Sequence, residues 1–107
     1  MELFASNLRK RAEQLGIPHA EVARRAGLSE TRYGNYVSGR REPDLATLVR
    51  IASALATTPS ALLTSELSEA APDELTRQRT MAALTALHAD DLERVAIMVE
   101  ALATARA

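Results

Sequence analysis

The stretch SETRYGNYVSGRREPD, residues 29–44, holds both tyrosines of the chain, a glycine in mid-segment and a pair of adjacent arginines. Ser29 is a good N-cap and Ser38-Gly39 offers a helix end, so the stretch predicts a short helix between them. Gly34 falls in the interior of that helix, where glycine costs about 1 kcal/mol relative to alanine. Whatever approaches the Gly34 side of this helix can therefore come close to its backbone.

Apolar residues at helical spacing, bounded by capping residues, glycine and proline, predict six further helices around this stretch, two of them with Asp44 and Thr58 as N-caps. No segment has the period-two alternation of a strand, so we predict an all-α chain. The six additional helices are expected over residues 3–14, 18–26, 45–55, 59–63, 74–87 and 90–103.

Residues 65–73 are polar and acidic and contain Pro72, a composition typical of a linker. We therefore predict a five-helix domain over residues 1–65, a linker over residues 66–73 and a helical dimerisation segment over residues 74–107. The last predicted helix has more apolar surface than one packing partner needs. Its candidate dimerisation residues are Leu92, Val95, Ile97, Met98, Val99 and Leu102.

The composition, 47% hydrophobic and 25% charged over 107 residues, fits a single soluble domain. The chain has no cysteine, which excludes disulfides, thiolate chemistry and a cysteine-based zinc site. No apolar run approaches the ~18 residues of a membrane span, and none is typical of a signal peptide. We therefore expect a cytoplasmic protein with no membrane partner.

Charge is distributed unevenly along the chain, although the net charge is only -1. Residues 1–50 contain nine Lys and Arg against six Asp and Glu, whereas residues 51–107 contain four against eight. The basic half is where an anionic partner is expected to bind.

A helix-turn-helix is indicated by the spacing of two small residues. Ala23 lies four residues before Gly27, so a small side chain falls where two crossing helices touch, and a glycine falls where the chain must turn with positive φ. An ordinary helical hairpin can share these two residues, so the spacing alone leaves both interpretations open.

Downstream residues extend the pattern of Ala23 and Gly27 in register. They are Ser29, Gly39-Arg40-Arg41-Glu42-Pro43, Leu45, Leu48, Ile51 and Ala52. With these residues, the stretch 5–64 resembles the phage-repressor and Cro-like helix-turn-helix family, also called the xenobiotic response element family. The resemblance implies a five-helix, lambda-repressor-like DNA-binding domain, and the two helices predicted after the linker would follow it as a C-terminal two-helix hairpin. It also implies a regulator of transcription that binds double-stranded DNA and places a recognition helix, about residues 29–38, in the major groove.

The polar side of the predicted recognition helix faces away from Tyr33, Tyr36 and Val37, its bulky apolar residues. Side chains there have the chemistry of base readers, because asparagine can pair with adenine, arginine with guanine and glutamate with cytosine, while threonine can contact the methyl group of thymine. By position in the family pattern, Glu30, Thr31 and Asn35 match the usual base readers. Arg32 matches either a base contact or a phosphate contact. The predicted base readers are Glu30, Thr31, Arg32 and Asn35.

Affinity for DNA comes largely from phosphate contacts. Arg40 and Arg41 follow the recognition helix, where family members commonly hold the DNA backbone. His19 stands where the family usually has a glutamine that binds a phosphate, and the ring of Tyr36 can pack while its hydroxyl reaches one. Lys10, Arg24 and Arg25 fit a solvated face better than a DNA contact, and both interpretations stay open. The predicted phosphate contacts are His19, Ser29, Tyr36, Ser38, Arg40 and Arg41.

Three functions remain open at this stage. We expect a homodimeric repressor, because one short recognition helix reads few base pairs and a two-fold pair doubles the site. One alternative is an antitoxin whose C-terminal region binds a protein toxin while the N-terminal domain represses its own operon, and another is a protein-interaction module without DNA binding. His19 and His88 are far apart in the sequence and no catalytic motif occurs. We therefore predict no enzyme, no metal and no cofactor.

Overall fold

The computed structural model describes residues 2–64 and 71–105, and every regular element in these ranges is an α-helix. Five helices occupy the first range and two the second, which confirms the predicted all-α architecture. The helices are α1 (Glu2–Leu15), α2 (His19–Arg25), α3 (Glu30–Val37), α4 (Leu45–Ala54), α5 (Pro59–Leu63), α6 (Pro72–Leu84) and α7 (Ala89–Ala105).

Three of the helices start at capping side chains that the sequence predicted. Ser29, Asp44 and Thr58 each accept a hydrogen bond from the backbone N–H three residues further on, at 3.1, 2.8 and 3.1 Å respectively. Each cap satisfies an N–H group that the first turn of a helix leaves without a partner. The bonds to Thr47 also lower the pKa of Asp44, so this cap stays ionised at neutral pH.

One hydrophobic core holds α1 to α5 together. α1 packs against α3, α5 and α6, while α2 packs against α3 and α4. Tyr33 is 1% exposed, as predicted for a packing residue. Its hydroxyl has no hydrogen-bond partner among the described residues, and burial raises the pKa of Tyr33. The largest fully buried side chains are those of Phe4, Leu8, Leu15, Val22, Tyr33, Thr47, Ile51, Leu55 and Leu62.

The predicted turn between α2 and α3 is present. Gly27 has φ +72°, and the N–H of Leu28 donates to the carbonyl of Ala23 at 2.8 Å. Ala23 is fully buried, and α2 packs against α3. A left-handed glycine therefore ends α2 and redirects the chain into α3.

The C-terminal helices differ in how they attach to the rest of the fold. α6 packs against α1 and contributes Ala82, fully buried, to the common core. It begins at Pro72, two residues before the predicted start, because proline suits the first turn of a helix. Residues 66–70 of the predicted linker lie outside the described residues. α7 has no buried residue.

A substitution at Gly34 tests whether the face of α3 at this position is open. A methyl group at Gly34 would meet no atom within 4 Å outside its own helix backbone. We therefore expect Gly34→Ala to raise the free energy of unfolding by about 0.5–1 kcal/mol, since alanine is the better helix former. Urea denaturation at unchanged m-value measures the difference.

Gly27→Ala is the matched control for that experiment. Because Gly27 has φ +72°, an alanine there must adopt a left-handed conformation, and we expect a loss of about 1–2 kcal/mol. A Gly34→Ala protein less stable than the wild type would contradict an open helix face at that position.

Candidate nucleic-acid interface

The outer side of α3 is open to solvent over its whole length. Tyr33 and Tyr36 are buried at 1% and 4% exposure, and they fix the inner side of the helix against the core. On the outer side Asn35 is half-buried, and in the described residues α3 packs mainly against α1 and α2. The exposed outer residues are Glu30, Thr31, Arg32, Gly34 and Ser38.

The chain after α3 folds back onto the end of that helix. The carbonyl of Asn35 accepts from the backbone N–H groups of Arg40 and Arg41, at 2.9 and 3.2 Å, and from the hydroxyl of Ser38 at 3.2 Å. Gly39 makes the turn with φ +81°. Both arginines are exposed, and their side chains form no hydrogen bond or ion pair with the described residues. Two uncompensated cations therefore lie beside the C-terminal end of α3.

Arg32 is held against α4 rather than extended from α3. Its Nε donates to the hydroxyl of Tyr36 at 3.0 Å, and its Nη2 donates to the hydroxyl of Thr47 at 3.3 Å. Base readout by Arg32 requires both of these bonds to be released. The hydroxyl of Tyr36 keeps its own proton and can still donate it.

Arg50 is a basic residue of this surface that the sequence analysis did not include. Its Nη2 lies 3.4 Å from the hydroxyl of Thr47, the same oxygen that Arg32 approaches. The pattern contained a signal, because Arg50 follows Thr47 by three residues on one helix and such pairs face each other. Arg32 and Arg50 approach the same Thr47 oxygen because of the way α3 packs beside α4. The spacing of residues in the sequence does not show this packing.

His19 begins the helix-turn-helix in chain order, and in space it lines the same cleft as Val37 and Ser38 at the end of α3. It is the exposed first residue of α2, and its ring lies 6.0 Å from that of Tyr33 at a tilt of 50°. A cleft of about 330 Å³ opens here, lined in part by His19, Arg9, Glu30 and Gly34. The missing side chain at Gly34 therefore widens a groove that runs along the exposed side of α3.

Arg24 and Arg25 are both paired with one carboxylate. Arg24 forms two hydrogen bonds with Glu21, at 2.7 and 2.6 Å, and Arg25 forms one at 2.7 Å. These bonds, those from Arg24 first, lower the pKa of Glu21 to about 2. The two cations of α2 are thus partly balanced within their own helix.

The described ranges contain neither a cluster of metal ligands nor a helix that could span a membrane. No group of three or more His, Cys, Asp or Glu residues there has the arrangement to hold a metal ion. None of the described helices has both the length and the apolar character that a membrane span requires.

The profile of a helix-turn-helix family, of the Cro and phage-repressor type, matches residues 8–62, more than half of the chain. No curated protein and no solved structure matches the chain. The matched residues run from α1 to α5 and include the turn at Gly27 and the exposed side of α3. This fold and this surface define a DNA-binding regulator of transcription. The chain belongs to the Cro-type helix-turn-helix family, which confirms the resemblance seen in the sequence.

The Glu21 pairing predicts an unusual titration. We expect the side-chain carboxyl carbon of Glu21 to titrate with a midpoint of about 2, against an ordinary value of 4.5. Because the folded state favours the charged form, the stability that Glu21 contributes is complete above the ordinary value and is lost as the pH falls toward 2. Carbon-detected NMR measures the midpoint while the helical signal persists.

The double variant Arg24→Ala plus Arg25→Ala is the control for this titration. Without its partners the Glu21 midpoint is expected to return to about 4.5. A wild-type midpoint already at the ordinary value would show that the three side chains are not paired in solution.

Proposed function

We propose that the protein is a repressor that binds a specific double-stranded DNA sequence as a homodimer, with α3 lying in the major groove. The observation that carries this proposal is the open polar side of α3, whose inner side is fixed by two buried tyrosines. The major groove admits one α-helix, and residues near the N-terminus of a recognition helix reach base edges there. A helix held rigidly from within is suited to present those residues in one orientation.

Base readout is assigned to the first half of α3 and to Asn35. Glu30 and Thr31 are exposed in the first turn, and Asn35 follows one turn later. In this assignment Asn35 pairs with adenine, Glu30 accepts from cytosine and Thr31 contacts a thymine methyl group. Arg32 reads guanine once it leaves Tyr36 and Thr47.

Phosphate contacts are assigned to residues around the helix-turn-helix. Arg40 and Arg41, which follow α3, and His19, which begins α2, are exposed and hold the DNA backbone in this assignment. Ser29 has a hydroxyl proton to donate because its oxygen accepts the capping bond. Ser38 must first release the carbonyl of Asn35, and Tyr36 contributes only its hydroxyl because its ring is buried.

The phosphate assignment predicts a change in salt dependence. For Arg40→Ala plus Arg41→Ala we expect weaker binding to every DNA sequence and a decrease of about 1.8 in the magnitude of the slope of log K against log salt, since each phosphate contact contributes about 0.9. Fluorescence anisotropy with one duplex at four or more salt concentrations measures the slope.

Arg77→Ala plus Arg79→Ala removes the same charge from exposed positions on α6 and is the matched control. This control is expected to leave the slope unchanged. Equal slopes for the wild type and the Arg40 and Arg41 variant would overturn the assignment. A wild type that selects no sequence from a random duplex library would favour the protein-interaction module instead.

α7 supports the homodimer because its apolar side chains are uncovered. Leu92, Val99 and Leu102 are 43%, 53% and 65% exposed, and Val95 is half-buried. These four residues follow helical spacing and lie on one face. Met98 borders that face and Ile97 lies across the helix, at 60% and 57% exposure. An apolar surface of this kind is typical of an interface, and in a two-fold dimer the same face serves both copies.

The dimer proposal predicts the behaviour of charged substitutions on α7. We expect Val99→Asp plus Leu102→Asp to make the protein monomeric and to weaken binding to a two-half-site duplex by about 10–100-fold, because the second half-site is no longer held nearby. Affinity for a single half-site should not change. Sedimentation velocity and anisotropy measure the two effects.

Ala101→Asp adds one negative charge on the far side of α7 and should remain dimeric. A wild type that is monomeric at every concentration tested would contradict the dimer. It would favour the antitoxin alternative, in which the same apolar face of α7 binds a toxin.

A further inference from the structure

Arg11 is a buried cation without a carboxylate partner among the described residues. It is 5% exposed, and desolvation lowers its pKa. Its Nε donates to the carbonyl of Leu55 at 2.9 Å and its Nη2 donates to that of Ala56 at 3.0 Å. These carbonyls end α4, where a positive charge is favoured by the helix dipole. Arg11 thus ties α1 to the C-terminal end of α4, inside the DNA-binding domain.

The third hydrogen bond of Arg11 is formed with α6, which lies outside the five helices of that domain. Its Nη1 donates to Oε1 of Gln78 at 2.6 Å, and Gln78 lies on α6. The amide of Gln78 is oriented in turn, because its Nε2 donates to Glu74 at 3.3 Å, one turn earlier on α6. Ala82, one turn later, is fully buried in the core. The face of α6 that carries Gln78 and Ala82 is therefore anchored at two successive turns, by a directional bond and by packing.

The two kinds of contact restrict different motions. A small apolar side chain such as Ala82 keeps α6 against α1, but apolar contact is non-directional and leaves rotation and sliding weakly opposed. A hydrogen bond from a charged donor is strong and directional, and Arg11 is itself fixed by two carbonyls of α4. The bond to Gln78 therefore sets the angle of α6 relative to the helix-turn-helix.

We infer that Gln78 is a positioning residue that fixes the angle of α6 on the DNA-binding domain, and that in the proposed dimer this limits the half-site spacings that the two recognition helices can span. This inference depends on the proposed function, in which α7 joins the two copies, and residues 85–88 connect α6 to α7 in the chain. Dimers of this class read two half-sites about one helical turn apart, so a rigid connection selects one spacing and a loose one tolerates several. The partner implied is an inverted-repeat duplex with a fixed spacer.

The first experiment tests the connection without DNA. Because the chain has no cysteine, spin labels can be placed specifically on Ser53→Cys in α4 and Ala83→Cys in α6, both exposed positions. Dilution with unlabelled protein restricts the measured pairs to single chains. We expect a narrow distance distribution for the labelled protein that retains Gln78. After Gln78→Ala we expect a distribution at least about twofold wider, because α6 can vary its angle once the hydrogen-bond acceptor is removed.

Three further variants control this measurement. Gln78→Met keeps the side-chain length but removes the acceptor, and it should also widen the distribution, so the test does not depend on one variant folding well. Gln78→Glu keeps an acceptor for Arg11 and should stay narrow. Arg79→Ala, at the next and exposed position, should also stay narrow. Equal widths for the unchanged, Gln78→Ala and Gln78→Met proteins would overturn the inference.

The second experiment tests the consequence for DNA. Inverted repeats with spacers of graded length are offered to each unlabelled protein. We expect the wild type to prefer one spacer by about tenfold over spacers two base pairs longer or shorter, and Gln78→Ala to lose most of that preference while binding a single half-site as before. A preserved spacer preference together with a widened distance distribution would overturn the role in spacing. A wild type that binds no DNA would refute the proposed function, while the spin-label widths would still decide whether Gln78 fixes α6.

Discussion

The exposed outer side of α3 depends on one backbone constraint, the left-handed turn at Gly27. The turn ends α2, the Leu28 N–H closes it onto Ala23, and fully buried Ala23 lets α2 and α3 pack closely. Only glycine adopts this conformation without a steric cost. Tyr33 and Tyr36 then fix the inner side of α3 in the core, so the outer side can carry exposed polar residues such as Glu30 and Thr31. Binding specificity can change on such a scaffold without changing the fold.

Two pairs of adjacent arginines look alike in the sequence but differ in whether a carboxylate balances their charge. Arg24 and Arg25 share the carboxylate of Glu21, which stays ionised far below neutral pH. Arg40 and Arg41 have no such counter-charge among the described residues. The positive field of the N-terminal half is therefore concentrated beside α3, which explains how a chain with a net charge of only -1 can still attract a polyanion to one surface.

The sequence was sufficient wherever structure depends on neighbours along the chain. Caps such as Ser29 and Asp44 were predictable because a cap and its N–H partner lie three residues apart. The burial of Tyr33 followed from helical periodicity. The sequence was insufficient where a side chain selects among distant partners. Arg32 contacts Thr47 across two helices, and Arg11 reaches Gln78, which is 67 positions away.

In the proposed dimer, the uncovered face of α7 makes DNA occupancy depend on the protein's own concentration. The population able to occupy both half-sites grows with the square of the monomer concentration when monomers predominate. Occupancy of the DNA then responds more steeply to synthesis and degradation than it would for a protein that acts alone. On this proposal, a few apolar side chains of α7 set the protein concentration at which the regulated DNA becomes occupied.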